Sequence, residues 1–198
     1  MLVGISSAIV GTYSLSSGLF IWVVCGVVLL VQESSKKYFL IWAISGLAAI
    51  VLYFIGYDKP SHHPSLLSFI QHPYEYLLYV LVYLGRSLST SLNNSAMIGL
   101  LLLTLFVASF IYLASYHPGH LKRSVRWVAI ALYSLLTAAT TGLARVGFGV
   151  EQGGASRYTT ISMLFVLSTI VIVTVAIMAC FFLPFSPTMG HLPILSSG

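Results

Sequence analysis

The sequence predicts an all-α fold, an integral membrane helical bundle with five or six membrane helices. Two observations carry the prediction. Hydrophobic residues make up 58% of the 198 residues and charged residues 7%, where a soluble domain carries roughly 25% charged residues. So few charges cannot cover a water-facing surface, and a mean hydropathy of +0.98 says the same. The charges are also segregated. Stretches 1–32, 38–57, 87–121, 127–144 and 158–198 hold no Asp, Glu, Lys or Arg, and most contain the about 20 apolar residues that cross a hydrocarbon core. Residues 1–184 therefore read as a single transmembrane domain and 185–198 as a short flexible tail.

Each element follows from its run. The first apolar run ends at Val31 and is dense from Gly18, while residues 1–17, rich in Gly, Ser and Thr, either extend that helix or lie at the interface. The polar turn 32–37 (QESSKK) precedes a second run, Tyr38 to Tyr57, with aromatic anchors at both ends. The connector 58–73 (DKPSHHPSLLSFIQHP) holds three prolines, which argue against a continuous helix. Run three, Tyr74 to Ser91, is unbroken only over Tyr76–Gly85, a length typical of interfacial or re-entrant segments. Run four, Ser95 to Tyr116, is a clear span. The basic turn 117–126 (HPGHLKRSVR) leads into run five, Trp127 to Leu143, and run six extends from Tyr158 to Leu183 before Pro184.

The net charge of +5 does not indicate nucleic acid, because the basic residues sit at the ends of apolar runs, where they set topology and meet headgroups. If run three does not span, Lys36, Lys37, Lys122, Arg123 and Arg126 share one face. Lys59, Arg86, Arg145 and Arg157 then share the other. That arrangement puts the connector, residues 145–158 and the N-terminus together on the outer face. A six-span alternative turns run three into half of a hairpin. Cys25 and Cys180 lie inside apolar runs and behave as small apolar residues rather than a disulfide pair.

The one place where charge, glycine and an acid gather between long apolar runs is 145–158, RVGFGVEQGGASRY. Arg145 closes run five and Arg157 opens run six, with Ser156 placed as an N-cap. Gly147, Gly149, Gly153 and Gly154 allow close backbone approach. Two guanidinium groups beside a helix N-terminus suit a phosphate or diphosphate, and a lipid-linked phosphate donor would arrive at this depth. The competing explanation has both arginines reaching for bulk headgroups and Glu151 pairing with one of them. Asp58 and Glu75 are the acids that could activate a hydroxyl, though they equally suit solvated helix ends. Tyr76, Tyr79, Tyr83 and Arg86 recur at helical spacing, fitting either the border of a polar cavity or an interfacial helix. The histidines at 62, 63, 72, 117 and 120 lack ligands at metal spacing. No cofactor is implied. No charge lies in the middle of runs one, two, four, five or six, which argues against an ion-coupled carrier.

Several stretches carry a family resemblance: Thr12-Tyr13-Ser14, Ser17-Gly18-Leu19, residues 53–60 (YFIGYDKP), His72-Pro73, Tyr83-Leu84-Gly85, and above all 145–149 (RVGFG) and 156–160 (SRYTT). Over residues 12 to 170 the chain resembles uncharacterised bacterial polytopic membrane proteins with an R-x-G-F-G stretch followed by S-R-Y. The resemblance implies the bacterial inner membrane, an association with surface-glycan systems and, since those proteins are longer, a short member or a fragment. Three functions follow as expectations: binding of a lipid-linked phosphate or glycan precursor at the outer interface, a non-enzymatic subunit or scaffold with a membrane-protein partner, or a small-solute transporter. Membrane lipids are partners in all three.

Overall fold

A computed structural model describes residues 1–55 and 71–182, and these are helical throughout, with no strand. The helices are α1 (Leu2–Ser14), α2 (Leu19–Val31), α3 (Lys36–Phe54), α4 (Pro73–Gly85), α5 (Leu92–Tyr116), α6 (Pro118–Arg123), α7 (Val125–Arg145) and α8 (Thr159–Phe182). Four segments are long and apolar enough to cross a membrane: Lys36–Phe54, Leu92–Tyr116, Val125–Phe148 and Ser156–Phe181. The chain is a multi-pass helical membrane protein. Helices α1, α2 and α4 have 13 residues each, about 20 Å of helix against a hydrocarbon core of about 30 Å.

The first apolar run does not continue as one helix. It folds back on itself through a turn at Ser16–Gly18, so that α1 and α2 form an antiparallel hairpin. Close approach makes the turn: a Cβ on Gly18 would stand 2.0 Å from the Gly11 carbonyl oxygen. A hydrogen-bond relay then locks the hairpin to α3. Trp22 Nε1 donates to Thr12 Oγ1 (2.9 Å), Thr12 Oγ1 donates to the Ala8 carbonyl (2.8 Å), and Trp42 Nε1 donates to the Trp22 carbonyl (2.9 Å). The Trp22 and Trp42 rings sit 4.7 Å apart, with Gly46 flat against Trp22. The hairpin also corrects the expected side of the N-terminus. Met1 lines the same cleft as Val28, Leu29 and Arg126, so it lies at the end where α2 finishes and α7 begins.

That end is the basic face. Helix α2 stops when the Ser34 and Glu33 N–H groups turn back to the Leu29 and Leu30 carbonyls (both 3.1 Å), a closure that places Glu33 in the left-handed region at φ 52°. From there Glu33 accepts a hydrogen bond from Lys122 Nζ at 2.7 Å. The turn holding Lys36 and Lys37 and the turn holding Lys122, Arg123 and Arg126 thus meet, whereas Arg86, Arg145 and Arg157 gather at the other end.

Helix α4 is far from interfacial. Tyr79, Val82, Tyr83 and Leu84 are almost wholly buried, enclosed by α5, α7 and α8. It runs antiparallel to α5 at backbone contact. A Cβ on Gly85 would meet the Ser95 carbonyl oxygen at 2.0 Å, and one on Gly99 the Leu81 carbonyl oxygen at 1.9 Å. Small residues permit such crossings in lipid, where close packing replaces hydrophobic drive. Ser162 of α8 secures the exit of α4, donating to the Leu84 carbonyl (2.6 Å) and accepting from the Ser87 N–H (3.1 Å). On α7, Ser134, Thr137, Thr140 and Thr141 return their hydroxyls to carbonyls one turn back.

Candidate functional site

At the end opposite the basic face, α7 runs out through a turn at Val146–Phe148. Two more turns, Val150–Gly154 and Ser156–Tyr158, carry the chain to α8. Gly149 makes this path possible: at φ 101°, ψ 150° it holds a conformation essentially reserved for glycine. Gly153 lets the loop press onto α4, since a Cβ there would stand 2.9 Å from the Tyr79 carbonyl oxygen, and Gly154 faces the Arg86 guanidinium. Gly147, by contrast, is exposed. Ser156 does not cap α8. It belongs to the last turn, makes no capping hydrogen bond, and the helix begins at Thr159. The final turn tightens the backbone before the helix starts, which removes the geometry an N-cap needs.

The loop roofs over two aromatic hydroxyls. The Tyr83 and Tyr158 rings stack with centroids 4.6 Å apart, and Tyr158 sits on the same side as Tyr79. The Tyr79 and Tyr158 hydroxyls are near enough to interact electrostatically. Yet both are buried without a hydrogen-bond partner of proper geometry. A phenol kept from water in this way normally finds a partner. The Arg145 and Arg157 guanidinium groups both bear electrostatically on the Tyr79 hydroxyl.

The two arginines are held differently. Arg157 donates to Gln152 Oε1 (3.3 Å) and lies over the Tyr158 ring at 5.0 Å. Arg145 is half-buried and forms no hydrogen bond or ion pair with any described residue. Glu151 is exposed and pairs with neither arginine among the described residues. Arg86 is engaged structurally, donating to the Thr90 carbonyl at 2.8 Å and reaching the Ser89 carbonyl at 3.5 Å, which closes the turn between α4 and α5.

Of the two acids named as bases, Asp58 lies outside the described residues. Glu75 sits in the first turn of α4 and pairs with His72 Nδ1 at 3.5 Å. It is about 16 Å of helix away from Arg86. His62 and His63 also lie outside the described residues. His117 meets Tyr112 Oη at 3.3 Å through Nε2, and no group of three or more His, Cys, Asp or Glu capable of holding a metal occurs among the described residues. Tyr158 was singled out only within the S-R-Y stretch. Its position beside Arg157 and Tyr83 depends on α4 being buried under the loop, which no local pattern reveals.

No protein-family model, curated protein or solved structure matches the chain.

Proposed function

We propose that the chain binds the phosphate of a lipid-linked precursor at the loop end of the bundle, as a protein of the bacterial inner membrane. The observation that carries this reading is Arg145, a half-buried guanidinium without a hydrogen-bond or ion-pair partner among the described residues. Its charge bears on the Tyr79 hydroxyl, which, like that of Tyr158, is buried and makes no well-formed hydrogen bond among the described residues. A phosphate supplies what all three need: acceptor oxygens for the hydroxyls and negative charge for the guanidinium. Arg157, exposed at the rim, adds a second planar donor. The buried hydroxyls require the loop to lift as the headgroup enters, with the prenyl or acyl tail left in lipid.

Orientation follows from charge. Lys36, Lys37, Lys122, Arg123 and Arg126 on one face mark it as cytoplasmic, which turns the loop outward. In this reading the four long helices cross, while the α1–α2 hairpin and α4 enter without crossing. A fifth or sixth crossing would have to be made by about 20 Å of helix.

The test is binding of a polyprenyl phosphate to the purified full-length chain. Arg145→Ala should weaken it about tenfold or more, since a charge-assisted contact is worth about 1.5–3 kcal/mol. Arg145→Lys should recover only part, lacking the planar fork. Arg123→Ala, on the basic face, should leave binding unchanged. Tyr158→Phe keeps the ring stack and removes only the hydroxyl, so binding should fall while stability holds or rises. Equal losses for Arg145→Ala and Arg123→Ala, or undiminished binding by Tyr158→Phe, would refute the reading.

A further inference from the structure

A second feature lies at the opposite end of the molecule and is independent of the loop. Between the α1–α2 hairpin and the flank of α7 is a cleft of about 680 Å³, walled by Cys25 and Leu29 of α2, Trp42 of α3 and Ile130 of α7, and reaching Leu164 of α8. Along α2 it runs from Ile21 to Leu29, about 12 Å of helix. Among the described residues, the Asp, Glu, Lys or Arg side chain that lines it is Arg126, at the basic-face end.

Arg126 is exposed and has no ion-pair partner among the described residues. Glu33, the one acid of this face among the described residues, is already held by Lys122 at 2.7 Å. The cleft is therefore apolar along its depth and carries an unneutralised cation at its mouth, flanked by Lys122 and Arg123. That is the charge and polarity profile of an anionic amphiphile. An apolar length of about 12 Å ending at a cation matches one hydrocarbon chain and its phosphate.

We propose that this cleft seats one acyl chain of an anionic glycerophospholipid from the leaflet at the basic face, with its phosphate on Arg126. Basic pockets between membrane helices favour anionic headgroups in this way. The lipid would also brace the half-length hairpin against α7.

The experiment uses the full-length chain, with Trp127→Phe so that emission reports Trp22 and Trp42, reconstituted with chain-brominated phosphatidylglycerol or chain-brominated phosphatidylcholine. Trp42 lines the cleft, so an occupying chain quenches it. Phosphatidylglycerol should quench at about fivefold lower mole fraction than phosphatidylcholine, the advantage expected of one interfacial cation. Arg126→Gln should merge the two curves, and Arg123→Gln should leave them apart. Alkylation of Cys25 in a Cys180→Ala background supplies a readout with Arg126 intact: phosphatidylglycerol should slow it more than phosphatidylcholine. Coincident quenching curves in the parent chain, equal effects of Arg123→Gln and Arg126→Gln, or equal Cys25 alkylation in both lipids would each overturn the proposal and mark the cleft as filled by ordinary surrounding lipid.

Discussion

Lys122 and Glu33, 89 residues apart in sequence, are joined at 2.7 Å, and this contact brings two basic turns into one face. Both side chains are well exposed, so the pair is worth little in isolation and is screened by salt. Its pH dependence has a definite sign. The Lys122 hydrogen bond, and then its charge, hold the Glu33 carboxyl below the ordinary value of 4.5. A depressed carboxylate contributes stability that is complete above its unfolded value and lost as pH falls through the folded one. Thermal melts in detergent should show Glu33→Gln slightly less stable than the parent at pH 7. The difference should vanish as pH drops below about 4 and also in 1 M salt. A difference that persists under acid would mean that the turn, not the ion pair, was perturbed. Glutamine is the right replacement because it leaves the left-handed backbone at position 33 unchanged.

The hairpin makes a prediction about sides. Single cysteines in a Cys25→Ala/Cys180→Ala background should be labelled by an impermeant maleimide from one side at Ser35 and Arg123, and from the other at Ser91 and Ser156. A tag ahead of Met1 should be reached from the Ser35 side. A tag reached from the Ser156 side would mean that residues 1–31 cross the membrane as one element.

Two kinds of glycine should fail differently. Gly85→Ala and Gly99→Ala put a methyl within about 2 Å of a backbone oxygen across the α4–α5 crossing. The helices must separate, at a cost of about 1–3 kcal/mol or more, and the buried Tyr79 and Tyr83 should become accessible to near-ultraviolet probes. Gly149→Ala meets nothing within 4 Å, yet it forces alanine into a glycine-only conformation at about 1–3 kcal/mol. That cost falls on the loop alone. Polyprenyl phosphate binding should therefore change with little shift in the global melt, and a cooperative loss of the whole bundle on Gly149→Ala would contradict it.

Much of the bundle was legible because bilayer thickness imposes a length on apolar runs. Helices α3, α5, α7 and α8, 19 to 25 residues long, fall on the second, fourth, fifth and sixth apolar runs. The fold-back of α1 on α2 was not, since Leu15 to Gly18 carries neither charge nor proline. What turns the chain there is tertiary: the Gly11–Gly18 approach and the Trp22–Thr12 bond. Helix α4 was correctly short, but its aromatic face suggested an interface, and only the Gly85–Gly99 crossing explains why it is buried instead. The loop at 145–158 announced itself by composition, and both its arginines lie at the same end of the bundle, bearing on Tyr79. Ser156 looked like a cap because the rule assumes an α-helix starts directly after it, and here a tighter turn intervenes. Glu75 carried no spacing signal, and in the structure it pairs only with its neighbour His72.

The unequal helix lengths give the protein two hydrophobic thicknesses. On the side of α5 and α8, 24 or 25 residues span about 36 Å, enough to tilt within a bilayer of ordinary depth. On the side of α1 and α2, each arm reaches about 20 Å and stops. Where such an arm meets lipid, the mismatch would cost fractions of a kcal/mol for each ångström and favour thinner or more curved regions of the bilayer.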